Sequence, residues 1–144
     1  MSRLDDTAAR TGEAEGATPL MVGPARADPV QALVRATKHS LDGVAFAFRS
    51  ERAFRQEALV LLVAVPLACA LTPDLFHRAL LIGALLFVMA VELLNTCAEK
   101  LCDLVMPQRH PTVKAIKDMG SAAVFCATGA CFLAWGAAAA AHLG

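Results

Sequence analysis

The sequence predicts an all-α membrane protein with three transmembrane helices and an N-terminal amphipathic helix at the membrane surface. Of its 144 residues, 57% are hydrophobic, which exceeds the ~45–50% apolar content of ordinary soluble domains. Only 18% are charged, and the charges cluster outside three long apolar segments. Thirteen basic and thirteen acidic residues cancel, so the chain offers no basic surface for nucleic acid.

The N-terminal segment, residues 1–29, is rich in alanine, glycine, proline and charge. A secretory signal needs an apolar core of about 7–15 residues after a basic start. Acidic residues interrupt this segment before such a core can form: Asp5, Asp6, Glu13 and Glu15. We therefore predict a disordered cytoplasmic tail over residues 1–29 and a membrane domain over residues 30–144.

Residues 30–50 show helical periodicity. Apolar residues fall near one stripe and charged residues largely elsewhere: Val30, Leu33, Val34, Leu41, Val44 and Phe48 against Arg35, Lys38, Asp42 and Arg49. A basic amphipathic helix directly ahead of apolar spans is typical of a helix that lies in the membrane interface. An ordinary soluble helix is the alternative.

Three apolar segments predict the transmembrane helices, at about residues 54–73, 78–105 and 117–143. The apolar core of the first segment, residues 58–71, is short for the ~20 residues of a crossing helix, and Phe54, Thr72 and Pro73 bring it near that length. Its Pro66 is a residue that membrane helices tolerate. Pro107 and Pro111 separate the second segment from the third. No Asp, Glu, Lys or Arg occurs between Met119 and Leu143, which makes the third segment the strongest of the three.

Basic residues predict the orientation of the chain. They precede the first span and lie between the second and third: Arg49, Arg52 and Arg55, then Arg109, Lys114 and Lys117. The turn between the first two spans has only His77 and Arg78. Because basic residues favour the cytoplasmic side, we expect the N-terminus in the cytoplasm and the C-terminus outside.

Acidic residues on one face of the second span are the candidates for chemistry. Glu92, Asn95, Glu99 and Asp103 fall within an arc of ~80° at 100° per residue. A carboxylate at membrane depth costs at least ~2.5–3.5 kcal/mol on insertion scales, so these groups need partners, a metal ion or water. Carboxylate oxygens suit Mg²⁺. The alternative is an inter-helix polar network with Arg or Lys as the counter-charge.

Two further charged segments lie at the predicted cytoplasmic end of the spans, where Glu99 and Asp103 are also expected. One is Glu51–Glu57 and the other is Lys117–Ser121. Carboxylates and a lysine at this level can hold Mg²⁺ and the phosphates of a nucleotide. No G-x-x-x-x-G-K-[ST] loop occurs in the chain, so an ATP site here must be of another kind.

Three motifs then carry a family resemblance. They are ERAFRQE at residues 51–57, VELLNTCAE at residues 91–99 followed by Asp103, and IKDMGSAAV at residues 116–124. In these motifs, their order and the three-span layout, the chain resembles the small bacterial diacylglycerol kinase family from near Arg35 to the C-terminus. The resemblance implies a homotrimer with active sites shared between subunits in the bacterial inner membrane. It also implies Mg-ATP-dependent phosphorylation of diacylglycerol to phosphatidic acid, in lipid recycling.

The resemblance also implies roles for individual residues. Glu92 would be the general base, supported by Asn95, and Glu51 and Glu99 would bind Mg²⁺. The residues on the nucleotide side would be Asp103, Lys117, Asp118, His39 and His110. Those on the lipid side would be Ser40, Ala53, Phe54, Arg55, Gln56, Glu57 and Ser121, together with Glu92.

Two positions depart from the family pattern. His39 stands where a tyrosine is common, and Ala32 stands where an arginine is common, so Arg35 is the candidate substitute. For His110, the alternative is that it lies exposed in the loop and binds no ligand.

Two other functions compete with this one. The related undecaprenol kinases typically have a last motif closer to KDVAAGAV, whereas Met119–Ala123 and Gln56–Glu57 resemble the diacylglycerol type. A small proton or ion transporter would use the buried carboxylates as a relay. It would give no reason for Lys117 and Asp118 beside the loop, and the internal repeats common in transporters are absent from the sequence.

Overall fold

A computed structural model of the protein describes residues 28–144. Four helices follow one another along this part of the chain: α1 (Pro29–Ser50), α2 (Arg52–Leu71), α3 (Leu75–Val105) and α4 (Pro111–Leu143). Helices α2, α3 and α4 are each long and apolar enough to cross a membrane. The predicted all-α class with three spans is confirmed. The tail predicted over residues 1–29 lies, up to residue 27, outside the described residues.

Local capping sets the ends of these helices. Thr72 is extended at φ −146°, ψ 135°, as a residue before proline prefers, and α2 therefore ends at Leu71. Asp74 caps α3 by accepting a hydrogen bond from the backbone N–H of His77 at 3.1 Å. Helix α3 thus begins at Leu75, ahead of the predicted residue 78.

Capping also sets the start of α4, and here the helix begins further ahead of the predicted residue than α3 does. His110 Nδ1 accepts a hydrogen bond from the backbone N–H of Thr112 at 3.2 Å, and Pro111 occupies the first helical position. Proline suits that position because its fixed φ is helical and its missing N–H has no partner there. Helix α4 therefore begins at Pro111 rather than near residue 117, and its first turns carry charged residues.

Residues 37–144 pack as one unit, in which α3 lies against both α2 and α4. The core between α3 and α4 is small and contains Val88, Ala127 and Cys131, with Trp135 packed against it. The indole N–H of Trp135 donates to the carbonyl of Leu81 at 3.1 Å. An indole N–H at membrane depth needs such a partner because lipid offers none.

The helix ends at Leu71, Leu75 and Leu143 lie at one level. His142 Nδ1 donates to the carbonyl of Leu71 at 3.0 Å, which joins the end of α4 to the end of α2. At 1.5 Å per residue α2 covers ~30 Å, about the thickness of the hydrocarbon layer. Helices α3 and α4, of 31 and 33 residues, therefore extend past the start of α2 at the other end, which we call the Glu51 end.

Large apolar side chains cover the outside of the helices. Leu62, Phe125 and Leu133 are 71%, 79% and 76% exposed, respectively. Water would disfavour an apolar surface of this extent. Lipid, or a neighbouring apolar subunit, is the environment in which it is stable.

We expect Trp135→Phe to lower the free energy of unfolding by about 0.6 kcal/mol and by no more than about 1.7 kcal/mol, the average and the maximum measured for side-chain hydrogen bonds inside a membrane protein. Reversible unfolding in mixed detergent–SDS micelles measures this change. Phe132→Leu is the control, since Phe132 is 73% exposed and makes no such bond. Equal stability of Trp135→Phe and the wild type would contradict the assigned role of the hydrogen bond.

Candidate active site

Helix α3 carries the central polar residues on one uninterrupted helix. Glu92, Asn95 and Glu99 are half-buried and Asp103 is exposed. Measured from Leu75 at 1.5 Å per residue, Glu92 lies ~25 Å, Glu99 ~36 Å and Asp103 ~42 Å along the axis. For a hydrocarbon layer of ~30 Å that starts at Leu75, Glu92 is inside the layer near its surface, and the other two carboxylates are beyond it.

Glu51 lies at the junction between α1 and α2. Its backbone is extended and it precedes the first residue of α2, yet its side chain makes no capping hydrogen bond to that helix. Instead Oε1 lies 2.9 Å from Lys100 Nζ on α3 and accepts a hydrogen bond from the Ser50 hydroxyl at 2.8 Å. The Lys100 ammonium, with help from Ser50, holds the pKa of Glu51 below its usual range. The carboxylate is therefore ionised at neutral pH.

Four carboxylates gather at this end, and we call them the carboxylate cluster: Glu51, Glu57, Glu92 and Glu99. Glu92 interacts electrostatically with both Glu99 and Glu51, and Glu57 interacts with Glu92. Glu57 Oε2 is buried and accepts no hydrogen bond from any described residue. Because like charges repel, a shared proton or a bound cation would stabilise such a cluster.

Asn95 packs into a space that Gly120 leaves open on α4. Asn95 Nδ2 donates a long hydrogen bond of 3.4 Å to Glu99 Oε1. Its Oδ1 is buried and has no partner among the described residues. A Cβ atom at Gly120 would overlap this oxygen. The glycine of the third motif therefore lets Asn95 lie beside Glu99.

Ion pairs bring together the residues that the sequence predicted on the nucleotide side. Lys117 Nζ on α4 lies 2.6 Å from Asp103 Oδ1 on α3, and Asp118 Oδ2 lies 2.5 Å from Lys114 Nζ. These four residues line a cavity of about 710 Å³ together with the α3–α4 loop, including Arg109 and His110. Three basic groups on one cavity wall form a surface suited to phosphate groups.

The residues predicted on the lipid side divide into two environments. Gln56 and Glu57 line a mainly apolar cavity of about 240 Å³ between α2, α3 and α4. An adjoining cavity of about 490 Å³ shares Phe132 with it and reaches Trp135. Ala53 and Ser121 are exposed on α2 and α4, and Phe54 is buried.

Arg55 has a structural partner that the sequence did not indicate. Its Nη1 donates to the carbonyls of Phe48 and Arg49 at 3.3 Å and 3.0 Å. A cation at the C-terminus of a helix satisfies free carbonyls and the helix dipole. His39 and Ser40 are exposed on α1, and Ser40 lies ~15 Å along the axis from Ser50 at 1.5 Å per residue.

Two lysines at the site were missed by sequence reasoning. Lys114 is four residues from Asp118, a helical spacing that predicts an ion pair, although the helix was expected to start later. Lys100 pairs with Glu51, which is distant in sequence, so no local pattern predicts that contact. An inter-helix ion pair with a lysine counter-charge, which was the alternative explanation for the buried carboxylates, is therefore present within the candidate site.

The donor atoms at the cluster fit Mg²⁺. No group of three His, Cys, Asp or Glu side chains between residues 28 and 144 forms a ready-made metal site. Mg²⁺, however, usually takes one or two carboxylates and completes its shell with water and phosphate oxygens. Glu51 and Glu99 are the candidates for these two carboxylates, and Asn95 Oδ1, which has no partner among the described residues, is a further hard oxygen beside Glu99.

The family model for prokaryotic diacylglycerol kinase matches residues 38–139, a range that contains all three motifs. The chain belongs to this family. Its resemblance to the family is thereby confirmed.

Several bacterial diacylglycerol kinases are similar to the chain. The enzyme of Pseudomonas aeruginosa is 44% identical over 103 residues, which cover 72% of this chain and 84% of the relative. That of Escherichia coli is 39% identical over 103 residues, 72% and 84% of the two chains. That of Haemophilus influenzae is 38% identical over 104 residues, 72% and 88%.

We expect Gly120→Ala and Asn95→Ala to be energetically coupled by about 1 kcal/mol, because residues in contact typically couple by about 0.5–3 kcal/mol. Gly120→Ala alone forces the Asn95 side chain to move, and the second substitution removes the overlap. A double-mutant cycle of unfolding free energies measures the coupling. The matched control is Gly129→Ala on the same helix, where an added Cβ meets nothing within 4 Å. Equal coupling at Gly120 and Gly129 would contradict this contact.

Proposed function

We propose that the protein transfers the γ-phosphoryl group of Mg-ATP to the hydroxyl of diacylglycerol, forming phosphatidic acid at the cytoplasmic face of the bacterial inner membrane. One observation carries this proposal. Glu92 lies just inside the apolar depth, in electrostatic range of Glu51 and Glu99, at the end where Lys117 lines a basic cavity. The similarity to diacylglycerol kinases supports the same substrate.

Glu92 is the proposed general base. A diacylglycerol hydroxyl remains at the membrane surface, so the group that takes its proton must reach into the edge of the apolar layer. As the oxygen forms its bond to the γ-phosphorus, the bond from that phosphorus to the bridging oxygen of ADP breaks, and the proton passes to Glu92. Asn95 positions Glu99 beside this base.

Glu51 and Glu99 are the proposed ligands of Mg²⁺. When bound, this ion neutralises negative charge on the phosphates. Glu99 lies on α3 and Glu51 directly precedes α2. Through these two carboxylates the nucleotide would be fixed relative to both helices. Glu57, whose Oε2 is buried without a donor among the described residues, is free to accept a hydrogen bond from the lipid headgroup.

The basic cavity is the proposed nucleotide site. Lys117 would exchange Asp103 for a phosphate oxygen, and Asp118 with His110 would contact the rest of the nucleotide. His39 on α1 is proposed to approach the same nucleotide. An ammonium that already has a carboxylate partner is held in place at little entropic cost, which favours its reuse as a phosphate ligand.

The lipid is proposed to enter along α2. Its headgroup would contact Ala53, Arg55 and Gln56, and an acyl chain would occupy the apolar cavities that continue toward Trp135. Phe54, Ser40 and Ser121 are proposed to complete the lipid side.

A homotrimer with shared sites, and an N-terminus in the cytoplasm, complete the proposal. The extensive exposed apolar surface of the helices and the open cavities at the Glu51 end are consistent with coverage by neighbouring subunits. Basic residues flank that end of the helices, as the positive-inside rule requires of a cytoplasmic face. Helix α1 would lie at the same membrane surface.

We expect Glu92→Gln to reduce phosphate transfer from Mg-ATP to diacylglycerol by about 10²–10⁴-fold, the usual contribution of a positioned base. Labelled γ-phosphate is followed in mixed micelles, with undecaprenol offered in parallel. Asp74→Asn is the matched control, because Asp74 caps α3 at the opposite end and its loss should leave transfer near the wild-type rate.

Each other outcome has a definite meaning for the proposal. Preferential transfer to undecaprenol would keep the mechanism and replace the substrate. Transfer to neither lipid would overturn the kinase proposal and favour the ion-relay alternative. Full activity of Glu92→Gln would remove Glu92 from the role of base.

A further inference from the structure

Lys100 lies at the Glu51 end and has no role in the sequence motifs or in the proposed mechanism. Its ammonium lies 2.9 Å from Glu51 Oε1 and 5.6 Å from the centre of the Phe46 ring. The carboxylate and the aromatic face hold it from two sides, and both interactions favour a positive charge at this point. The lysine side chain is half exposed, whereas that of Glu51 is 24% exposed.

Glu51 directly precedes α2, but its side chain makes no capping hydrogen bond to that helix. The carboxylate instead contacts Lys100 on α3. The residue proposed as a Mg²⁺ ligand is therefore already in contact with a monovalent cation.

A lysine ammonium 2.9 Å from Glu51 Oε1 repels a divalent cation that binds either oxygen of the same carboxylate. We propose that Lys100 is a tethered counter-ion that occupies Glu51 in the cation-free protein and must be displaced by the divalent cation. Lys100 then orients Glu51 in advance and also weakens its affinity for the cation. This inference rests on the proposed function, in which Glu51 is a cation ligand.

The inference predicts that removal of the lysine charge tightens cation binding. Lys100→Met keeps most of the side-chain length and removes the charge. We expect it to lower the Kd for Mn²⁺, the paramagnetic probe for Mg²⁺, by about tenfold, the size of effect that one nearby like charge exerts near a protein surface. Lys100→Gln should shift the Kd in the same direction, and Lys100→Arg should restore a value near that of the wild type.

The experiment is a Mn²⁺ titration of the purified full-length protein in detergent micelles without nucleotide, followed by the electron paramagnetic resonance signal of free Mn²⁺. Circular dichroism verifies that each variant keeps its helical content. Lys38→Met is the matched control, since it removes one exposed lysine charge from α1, ~18 Å along the helix axis from Ser50. It should leave the Kd unchanged. Glu51→Gln should weaken binding in both the wild-type and the Lys100→Met backgrounds.

The outcomes separate this inference from the proposed function. Weaker binding in Glu51→Gln, combined with unchanged or weaker binding in Lys100→Met, would overturn the role of Lys100 and leave the cation site in place. Unchanged binding in Glu51→Gln would remove Glu51 as a cation ligand, and the inference would fall with it. An equal decrease of the Kd in Lys38→Met and Lys100→Met would show that the change in net charge alone causes the effect. That result would overturn the specific role of the Lys100–Glu51 pair.

Discussion

The placement of a carboxylate at the edge of an apolar layer is the constraint on which the rest of this structure depends. At the centre of a bilayer a charged side chain costs at least ~2.5–3.5 kcal/mol on insertion scales, and the cost falls toward the surface. Glu92 lies ~25 Å along α3 from Leu75, so it is near the surface of a ~30 Å layer that starts at Leu75. In the proposed function, this depth gives access to a lipid hydroxyl while water, a cation and basic side chains remain within reach.

The ion pairs around this carboxylate matter for position more than for stability. Lys100–Glu51 and Lys117–Asp103 join α3 to the start of α2 and to α4. Both pairs are partly exposed, and such pairs typically contribute only about 0–1 kcal/mol each. Phosphoryl transfer, in contrast, depends almost entirely on positioning and charge neutralisation. The pairs therefore arrange charges that a nucleotide and a cation can take over with little loss of stability.

Hydropathy and motif spacing predicted the helices and the main polar face, because both follow from local periodicity. The four polar residues of α3 lie on one continuous helix, as their spacing required. The starts of α3 and α4 were placed too late because capping by Asp74 and by His110 with Pro111 extends helices beyond their apolar windows. Pro66 did not interrupt α2, in line with the tolerance of membrane helices for proline.

Contacts distant in sequence were beyond the reach of the sequence alone. Lys100 and Glu51 are joined only by the packing of α3 against α2, and nothing in either motif indicates that pairing. The contact of Gly120 with the Asn95 amide likewise depends on the rotation of α3 against α4. In both cases the relevant quantity is the register between helices, which hydropathy does not encode.

The central claim is that one divalent cation joins the carboxylates of the protein to the phosphates of the nucleotide. Pulsed electron paramagnetic resonance tests it on the protein bound to Mn²⁺ and a non-hydrolysable ATP analogue, with ¹³C-labelled glutamate carboxylates. The account predicts that a single Mn²⁺ couples to both ³¹P and carboxylate ¹³C, and that Glu51→Gln reduces the ¹³C coupling. Mn²⁺ that couples to ³¹P but to no glutamate carboxylate would contradict it.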